Sequence, residues 1–340
     1  MESQSNIRLT ASEMASLWTQ YMFDSMSVCF FKYALEHMED EDIRSLYHLA
    51  LQLSERHVGK IEEFFNGEAY PIPQGFTDDD VNVKAPRLFQ DPFYLYYLYV
   101  MTLQGLTGYG LSVSTSIRAD LRKYHMECNT ETMDLFDKIV DAMLAKGFLT
   151  RPPVLTPPES IDFVKQQSFL TGWLGERRPL TAMEIGDITF NMMKMHLHVG
   201  LKVGFCQVAK SDKLRKYIKR GAKISNKHIE EFEDIFREET LNTPRSLQSF
   251  VTAATESPFS DKFMMYHGSL AGNIALTNLG TALSQMFRHD LAAELIKLIP
   301  TVGKYNNDGL NMMIEHGWLE EPFTAADREQ LSKSSPGNQT

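Results

Sequence analysis

The sequence predicts an all-α protein: two four-helix bundles in tandem, each with a long crossover between its second and third helices. Three observations carry that prediction. The second half of the chain repeats the first, apolar residues recur at helical spacing, and proline and glycine cluster at the boundaries of the helical stretches. In the repeat, Leu9-Thr10-Ala11-Ser12-Glu13-Met14 returns as Leu180-Thr181-Ala182-Met183-Glu184-Ile185, an offset of 171. Ser54, His57, Glu62 and Phe65 return at the same offset as Ser225, His228, Glu233 and Phe236. One gap later the offset is 170, so Phe89, Asp91 and Phe93 become Phe259, Asp261 and Phe263. A match spread this evenly means two copies of one domain, since a solenoid repeats at about 20–50 residues.

The elements follow in order. Residues 10–66 hold no proline and one glycine, with Met14, Trp18, Tyr21, Ser25 and Val28, then Ile43, Leu46, Ala50, Leu53, His57 and Ile61 at helical spacing. That pattern predicts two long helices broken near Met38-Glu39-Asp40-Glu41, the second capped by Asp40. Residues 67–90 carry Gly67, Pro71, Pro73, Gly75, Pro86 and the run Asp78-Asp79-Asp80, a long connection. Helices resume over Asp91–Thr115 and Arg118–Lys146, with Gly147 as the stop. The second copy predicts helices near 181–209, 211–239, 260–286 and 288–316, stopped by Gly317. Tight turns make antiparallel neighbours, and a connection of this length can cross a whole bundle, which is the ferritin-like arrangement. The domains are then a first bundle over 7–149, a Pro-rich linker with docked aromatics over 150–179, a second bundle over 180–325 and a polar tail over 326–340. Phe163, Phe169, Trp173 and Leu174 lie in the linker, so part of it is expected to dock on a domain.

Composition narrows the function classes. A net charge of −10 argues against a general nucleic-acid binder, which needs a basic footprint. The basic run from Lys213 to Arg220 reads as a solvated helix face. Cys29, Cys128 and Cys206 are odd in number and scattered, the usage of a reducing compartment. Met1 to Thr10 lack a signal-peptide pattern, and the apolar run Phe93–Leu103 falls short of the ~20 residues a membrane span needs. A cytoplasmic protein without a membrane span is expected.

Bundles of this type become di-metal proteins through one Glu from each of two helices and Glu-x-x-His from the other two. Here the second helix of each copy supplies His57 and His228, but Ser54 and Ser225 stand where glutamate would be. The fourth helices lack Glu-x-x-His; in 288–316 the nearest approach is the adjacent pair Glu315-His316. The expectation is no metal and no cofactor, with His57 and His228 as core histidines bonded to a neighbour such as Asp24 or Ser25. The alternative is an irregular transition-metal site built from His196, His228 and His267, where the first copy has Ser25, His57 and Tyr97. The duplicated Ser-x-x-x-Arg-x-Asp-Leu, Ser114–Leu121 and Ser284–Leu291, reads as the turn into the fourth helix. Phe93–Val100 is apolar or aromatic all round, so it predicts an interface with the other copy, the linker or a second chain. No phosphate loop, nucleophile elbow, Cys-x-x-Cys or His-Glu-x-x-His is present, and no catalytic residue is assigned.

Several segments together resemble a known family: the opening Leu9–Trp18, Pro71-Ile72-Pro73-Gln74-Gly75-Phe76-Thr77-Asp78, Ala85-Pro86-Arg87-Leu88-Phe89, Gln167–Trp173 and Ser257–Lys262. The chain resembles, from about 7 to 330, the uncharacterised duplicated-domain family of spore-forming bacilli related to spore coat protein F. That resemblance implies a ferritin-like fold and a non-enzymatic structural or interaction protein, with deposition on the spore coat and protein partners or self-association. It supplies no site residue. The runner-up is a ferritin-like metal-binding or redox protein, and a third reading is a small-molecule binder with a Met- and Tyr-rich cavity inside one bundle.

Overall fold

The computed structural model describes residues 7–173 and 177–333. Among these, nine α-helices and three short 3₁₀ turns account for the regular structure, and no strand occurs beyond two isolated bridges. The first copy comprises α1 (Ala11–His37), α2 (Glu41–Gly67), α3 (Asp91–Thr115) and α4 (Ala119–Ala145). The second comprises α5 (Ala182–Val208), α6 (Asp212–Glu238), α7 (Asp261–Gln285) and α8 (His289–Glu315). Helices of 27, 27, 25 and 27 residues recur in the same order in both. In each copy two tight hairpins pack on each other and the long connection runs between the second and third helices, as the sequence predicts.

Local chemistry explains the helix ends. Thr10 and Thr181 form capping boxes with Glu13 and Glu184, each satisfying two orphan N–H groups at a helix start. Asp40 caps α2 by accepting from the Asp42 and Ile43 amides. Gly147 and Gly317 take φ of 68° and 67°, the left-handed conformation that ends α4 and α8.

Glu13 and Glu184 do more than cap. Each is fully buried and also accepts the two backbone amides of the third-to-fourth-helix turn, Ile117 and Arg118 in one copy, Phe287 and Arg288 in the other. Arg118 then pairs with Asp120 and with Glu68 at the end of α2, and Arg288 pairs with Asp290 and Glu239 at the end of α6. The duplicated Ser-x-x-x-Arg-x-Asp-Leu is therefore a clasp that ties three helix ends together. Second-copy Arg178 adds a bidentate pair to Glu184 at 2.8 and 2.9 Å.

The two copies share one core around a pseudo-two-fold axis. Their crossovers meet antiparallel, Val81 opposite Phe259 and Phe89 opposite Val251. Under the offset of 170 these two pairings exchange with each other. The hydrogen bonds obey the same symmetry: Asn82 N to Pro258 O (2.7 Å) matches Thr252 N to Leu88 O (2.9 Å). Gln90 N to Phe250 O likewise matches Ser260 N to Asp80 O, both 3.0 Å. A contact surface that maps onto itself under a two-fold is the isologous geometry of a homodimer, here fused into one chain.

Helix α3 earns its all-round apolar character at this junction. Phe93, Tyr94, Leu95, Tyr96, Tyr97 and Leu98 are all buried. Phe93 lies against Gly200 of α5, where a Cβ would come within 2.5 Å of its ring. Phe30 stacks on Tyr97 at 3.9 Å and on Phe259 at 5.6 Å. The interface expected of Phe93–Val100 is thus the one with the other copy.

Part of the linker docks. Phe169 docks, stacking under the Arg178 guanidinium at 4.2 Å and on the Phe287 ring edge. Phe163, 83% exposed, and Trp173, 57% exposed, face solvent, so the docked part is confined to the segment around Phe169 to Gly172. It is anchored by Leu170 O accepting from His289 N, and by Gly172 lying so close to Asp290 that a side chain would collide. Leu174 lies outside the described residues. The polar tail opens with a short helix, α9 (Arg328–Lys333), and its part from 334 onward also lies outside them.

Candidate functional site in the first bundle

The centre of the first bundle is polar. Asp24, on α1, is buried and accepts from Ser54 Oγ at 2.8 Å and from Gln20 Nε2 at 3.2 Å. His57 Nδ1 lies 3.3 Å from Asp24 Oδ2 and 3.3 Å from the Tyr109 hydroxyl. Its Nε2 faces Glu131 Oε2 at 3.5 Å, and Glu131 is itself paired with Arg56 at 2.5 Å. Gln20 extends the set to Tyr124 (2.9 Å) and Cys128 (3.8 Å). Helical spacing makes the set, because Gln20 and Asp24, Ser54 and His57, and Cys128 and Glu131 are i, i+4 or i, i+3 neighbours on the inward faces.

Burial works against a charge on His57, but the Asp24 carboxylate beside it and their hydrogen bond outweigh that and push the imidazole up to about 10. It is therefore a cation at neutral pH, held between two carboxylates. The core histidine bonded to Asp24 that the sequence suggests is what stands at this position.

Beside this cluster runs a cavity of about 550 Å³. It follows α1 from Ala15 to Phe31 and α3 from Leu98 to Ser112, with His57 and Ser54 on its α2 side. Phe31, Ala50, Leu98 and Leu135 are buried at its floor, while Thr19, Thr107 and Gly108 are exposed at its mouth. Leu270, Asn273, Ile274 and Thr277 of α7 supply one wall, so the second copy helps to build the cavity of the first. Gly105 and Gly108 keep that stretch of α3 thin: a Cβ at Gly105 would press on Thr132 at 3.2 Å.

The second bundle keeps Ser225 and His228 and changes their surroundings. Met195, Leu279, Leu298 and Thr301 replace Asp24, Tyr109, Cys128 and Glu131. Met195, Leu279 and Leu298 join Met192, Val199, Ile229 and Phe232 in a closed apolar core. Where the first copy has Phe23 and Gly108, the second has Lys194 and Asn278, bonded across α5 and α7 at 3.0 Å. Where it has Ala50 and Leu135, the second has Gly221 and Tyr305 in direct contact.

The candidate histidines divide accordingly. His228 forms no side-chain hydrogen bond among the described residues, and burial, reinforced by Lys202 and Lys227, drops it to about 4. Neither ring nitrogen of buried His196 has a partner, and burial drops it to about 4 as well. His267 is taken up at the pseudo-two-fold, where its Nε2 lies 3.1 Å from the hydroxyl of Tyr97, its own counterpart in the other copy. Among the described residues no three His, Cys, Asp or Glu side chains converge as metal ligands. The donor set fits neither a di-metal centre nor the three-histidine alternative: His57 is spent as a cation on Asp24, and His267 on Tyr97.

Sequence reasoning reached His57, Ser54 and Asp24 but missed Gln20, Tyr109, Cys128 and Glu131. A search confined to Glu-x-x-His passes over Cys128-x-x-Glu131, which has the same i, i+3 spacing and faces the Ser54-x-x-His57 pair.

Among solved structures the chain is similar to a protein from Bacillus halodurans, named there as a "putative spore coat protein", at 21% identity and a TM-score of 0.41, over 46% of this chain and 100% of that one. No curated protein matches it. The DUF3231 family, described as a protein of unknown function, matches residues 2–161 and again 168–331. The two matches divide the chain where the internal repeat divides it, and the chain belongs to the DUF3231 family, carrying that family's domain twice.

Proposed function

We propose that this is a non-enzymatic interaction protein whose first bundle receives a small molecule and whose second bundle serves as a built-in partner subunit. The observation that carries the reading is the cavity of about 550 Å³ in the first copy, beside a buried polar cluster and walled partly by the other copy. Pockets of about 300–1,000 Å³, mostly apolar with a few placed polar groups, are the usual form of small-molecule sites. No cofactor enters this reading. The metal-binding alternative has less support, because His267 Nε2 is taken up by Tyr97 and no three His, Cys, Asp or Glu side chains converge among the described residues.

Deposition on a spore coat, with protein partners or self-association there, follows only from the sequence resemblance and is proposed on that ground; immunolocalisation in sporulating cells checks it. No helix among the described residues is long and apolar enough to cross a membrane. A thermal-shift screen of a broad compound panel tests the binding reading, with wild type and the cavity-filling variants Ser27→Leu and Ala50→Leu side by side. Compounds that raise Tm in wild type alone support it; shifts equal in all three proteins, or none in any, overturn it.

A further inference from the structure

We infer that the molecule received is an uncharged, chain-like amphiphile with an alcohol or amide head, lying lengthwise between α1 and α3. The inference rests on the binding reading above and narrows it to a ligand class.

Shape is the first argument. The lining runs from Ala15 to Phe31 along α1 and from Leu98 to Ser112 along α3. At about 1.5 Å rise per residue each run spans roughly 20 Å. A volume of about 550 Å³ drawn out over that length is a slot, which suits an extended chain better than a compact ring system.

The walls are the second argument. Phe23, Phe31, Leu98, Met101, Leu135 and Ile274 present hydrocarbon along the slot. Thr102 and Thr132 turn their hydroxyls back to carbonyls of their own helices, Leu98 O at 3.0 Å and Cys128 O at 2.8 Å. Their hydrogen-bonding capacity is thereby used within the protein. A polymethylene chain loses nothing against such a lining and gains about 0.8 kcal/mol per buried CH₂.

Charge is the third. The charged side chains that line the slot, Asp24 and His57, already pair with each other at 3.3 Å. A carboxylate head would meet Asp24, and an ammonium would meet His57. Either would also lose its hydration without a free counter-charge. What the lining residues lack is neutral pairing. Gln20 Oε1 is an acceptor, and Gln104 Nε2 and His57 Nε2 are donors, all buried with no hydrogen-bond partner in the protein. A head that donates and accepts without charge supplies both.

The test uses four probes on the full chain: octan-1-ol, octanoate, octylammonium and the compact naphthalen-2-ol. Binding is read by calorimetry and by ¹³C-methyl shifts of Met101 in the slot against Met195 in the second copy. Octan-1-ol is expected to bind at least ~10-fold tighter than either charged octyl probe, to move Met101 and spare Met195, and to lose at least ~10-fold in Ser27→Leu and Ala50→Leu. Equal or tighter binding of octanoate or octylammonium overturns the uncharged head, and a response to naphthalen-2-ol alone overturns the chain; both leave the binding reading standing. Octan-1-ol binding that moves Met195 in place of Met101 overturns the site, whether or not the filled variants fold. Silence of all four probes overturns the ligand class, and the broad panel then decides the binding reading separately.

Discussion

The centres of the two bundles descend from one domain and solve the same packing problem in opposite ways. Each has a serine and a histidine one turn apart on its second helix. The first copy surrounds them with Asp24, Glu131, Tyr109 and Gln20, keeps the imidazole charged and leaves a slot open beside it. The second sets Met195, Leu279 and Leu298 in place of Asp24, Tyr109 and Cys128, brings Lys202 onto Ser225 at 2.9 Å, keeps the imidazole neutral and fills the space with Met195, Tyr305 and the Lys194–Asn278 bridge. The clasp of Glu13 or Glu184 and the crossover pairing are the same in both. Shared features therefore hold the fold, and these differences lie in the bundle centres.

The largest expected effect comes from breaking the charged centre. Asp24→Asn removes one partner of a buried ion pair, which typically costs about 3–5 kcal/mol. The His57 pKa should fall toward that of His228, a change visible by NMR titration of the two imidazoles. If Asp24→Asn unfolds no more easily than wild type in denaturant, the polar centre is not what holds α1, α2 and α4 together.

Opposite pH dependence follows from the same contrast. His57 binds its proton more tightly folded than unfolded, so its stabilisation is complete below pH 6.5 and is lost as pH rises through about 10. The groups facing it are Asp24, Glu131, Tyr109 and Cys128. The second copy holds three histidines depressed by burial to about 4, His196, His228 and His267, against one in the first, His125. The folded state resists protonating them, so stability drains as pH falls from 6.5 toward 4. Hydrogen exchange should show α2 loosening first in base and α6 first in acid; parallel loosening in both directions would merge the two centres into one titrating unit.

The clasps sharpen the comparison from the side of likeness. Glu184 is held down to about 2: burial opposes its charge, and the Arg178 guanidinium with several amides overcomes it. Glu13 is lowered by the amides and Thr10 alone, since Ile7 stands where Arg178 does. Glu184→Gln should cost about 1.5–3 kcal/mol, the range for bonds to charged groups, and Glu13→Gln less. Tyr97→Phe strips His267 Nε2 of its partner at the pseudo-two-fold, at about 1–3 kcal/mol. Chemical denaturation ranks all three, and a larger loss from Glu13→Gln would contradict the added role of Arg178.

Much of this was legible in the sequence. The repeat, the helix lengths and the long crossover followed from offsets, glycine and proline, because these act locally and leave periodic traces. The all-round apolar Phe93–Val100 announced an interface, and the other copy provides it. The slot was less legible. Cavities arise where side chains fail to meet, and Gly105 and Gly108 mark that place only once α7 is known to stand opposite. The exposure of Phe163 and Trp173 was illegible for the converse reason, since an aromatic residue in a linker signals docking only if a surface lies within reach.

The smallest effect is the most discriminating, because one chemical change should have opposite signs in the two copies. Ala50→Leu adds hydrocarbon at the floor of the slot, where there is space to receive it. Filling a void commonly gains up to about 1 kcal/mol, or ~2–4 °C in Tm for a domain of this size. Ala282→Leu makes the same addition in the closed core of the second bundle, where Ala282 is 1% exposed and packed among Leu279, Leu291 and Leu295. Overpacking there should cost about 1–3 kcal/mol. Melting curves of the two variants decide whether the copies differ in free volume or only in polarity. If both lose stability equally, the slot is occupied by well-ordered water bonded to Gln20, Ser27 and their neighbours, and an apolar chain would have to displace it at a loss.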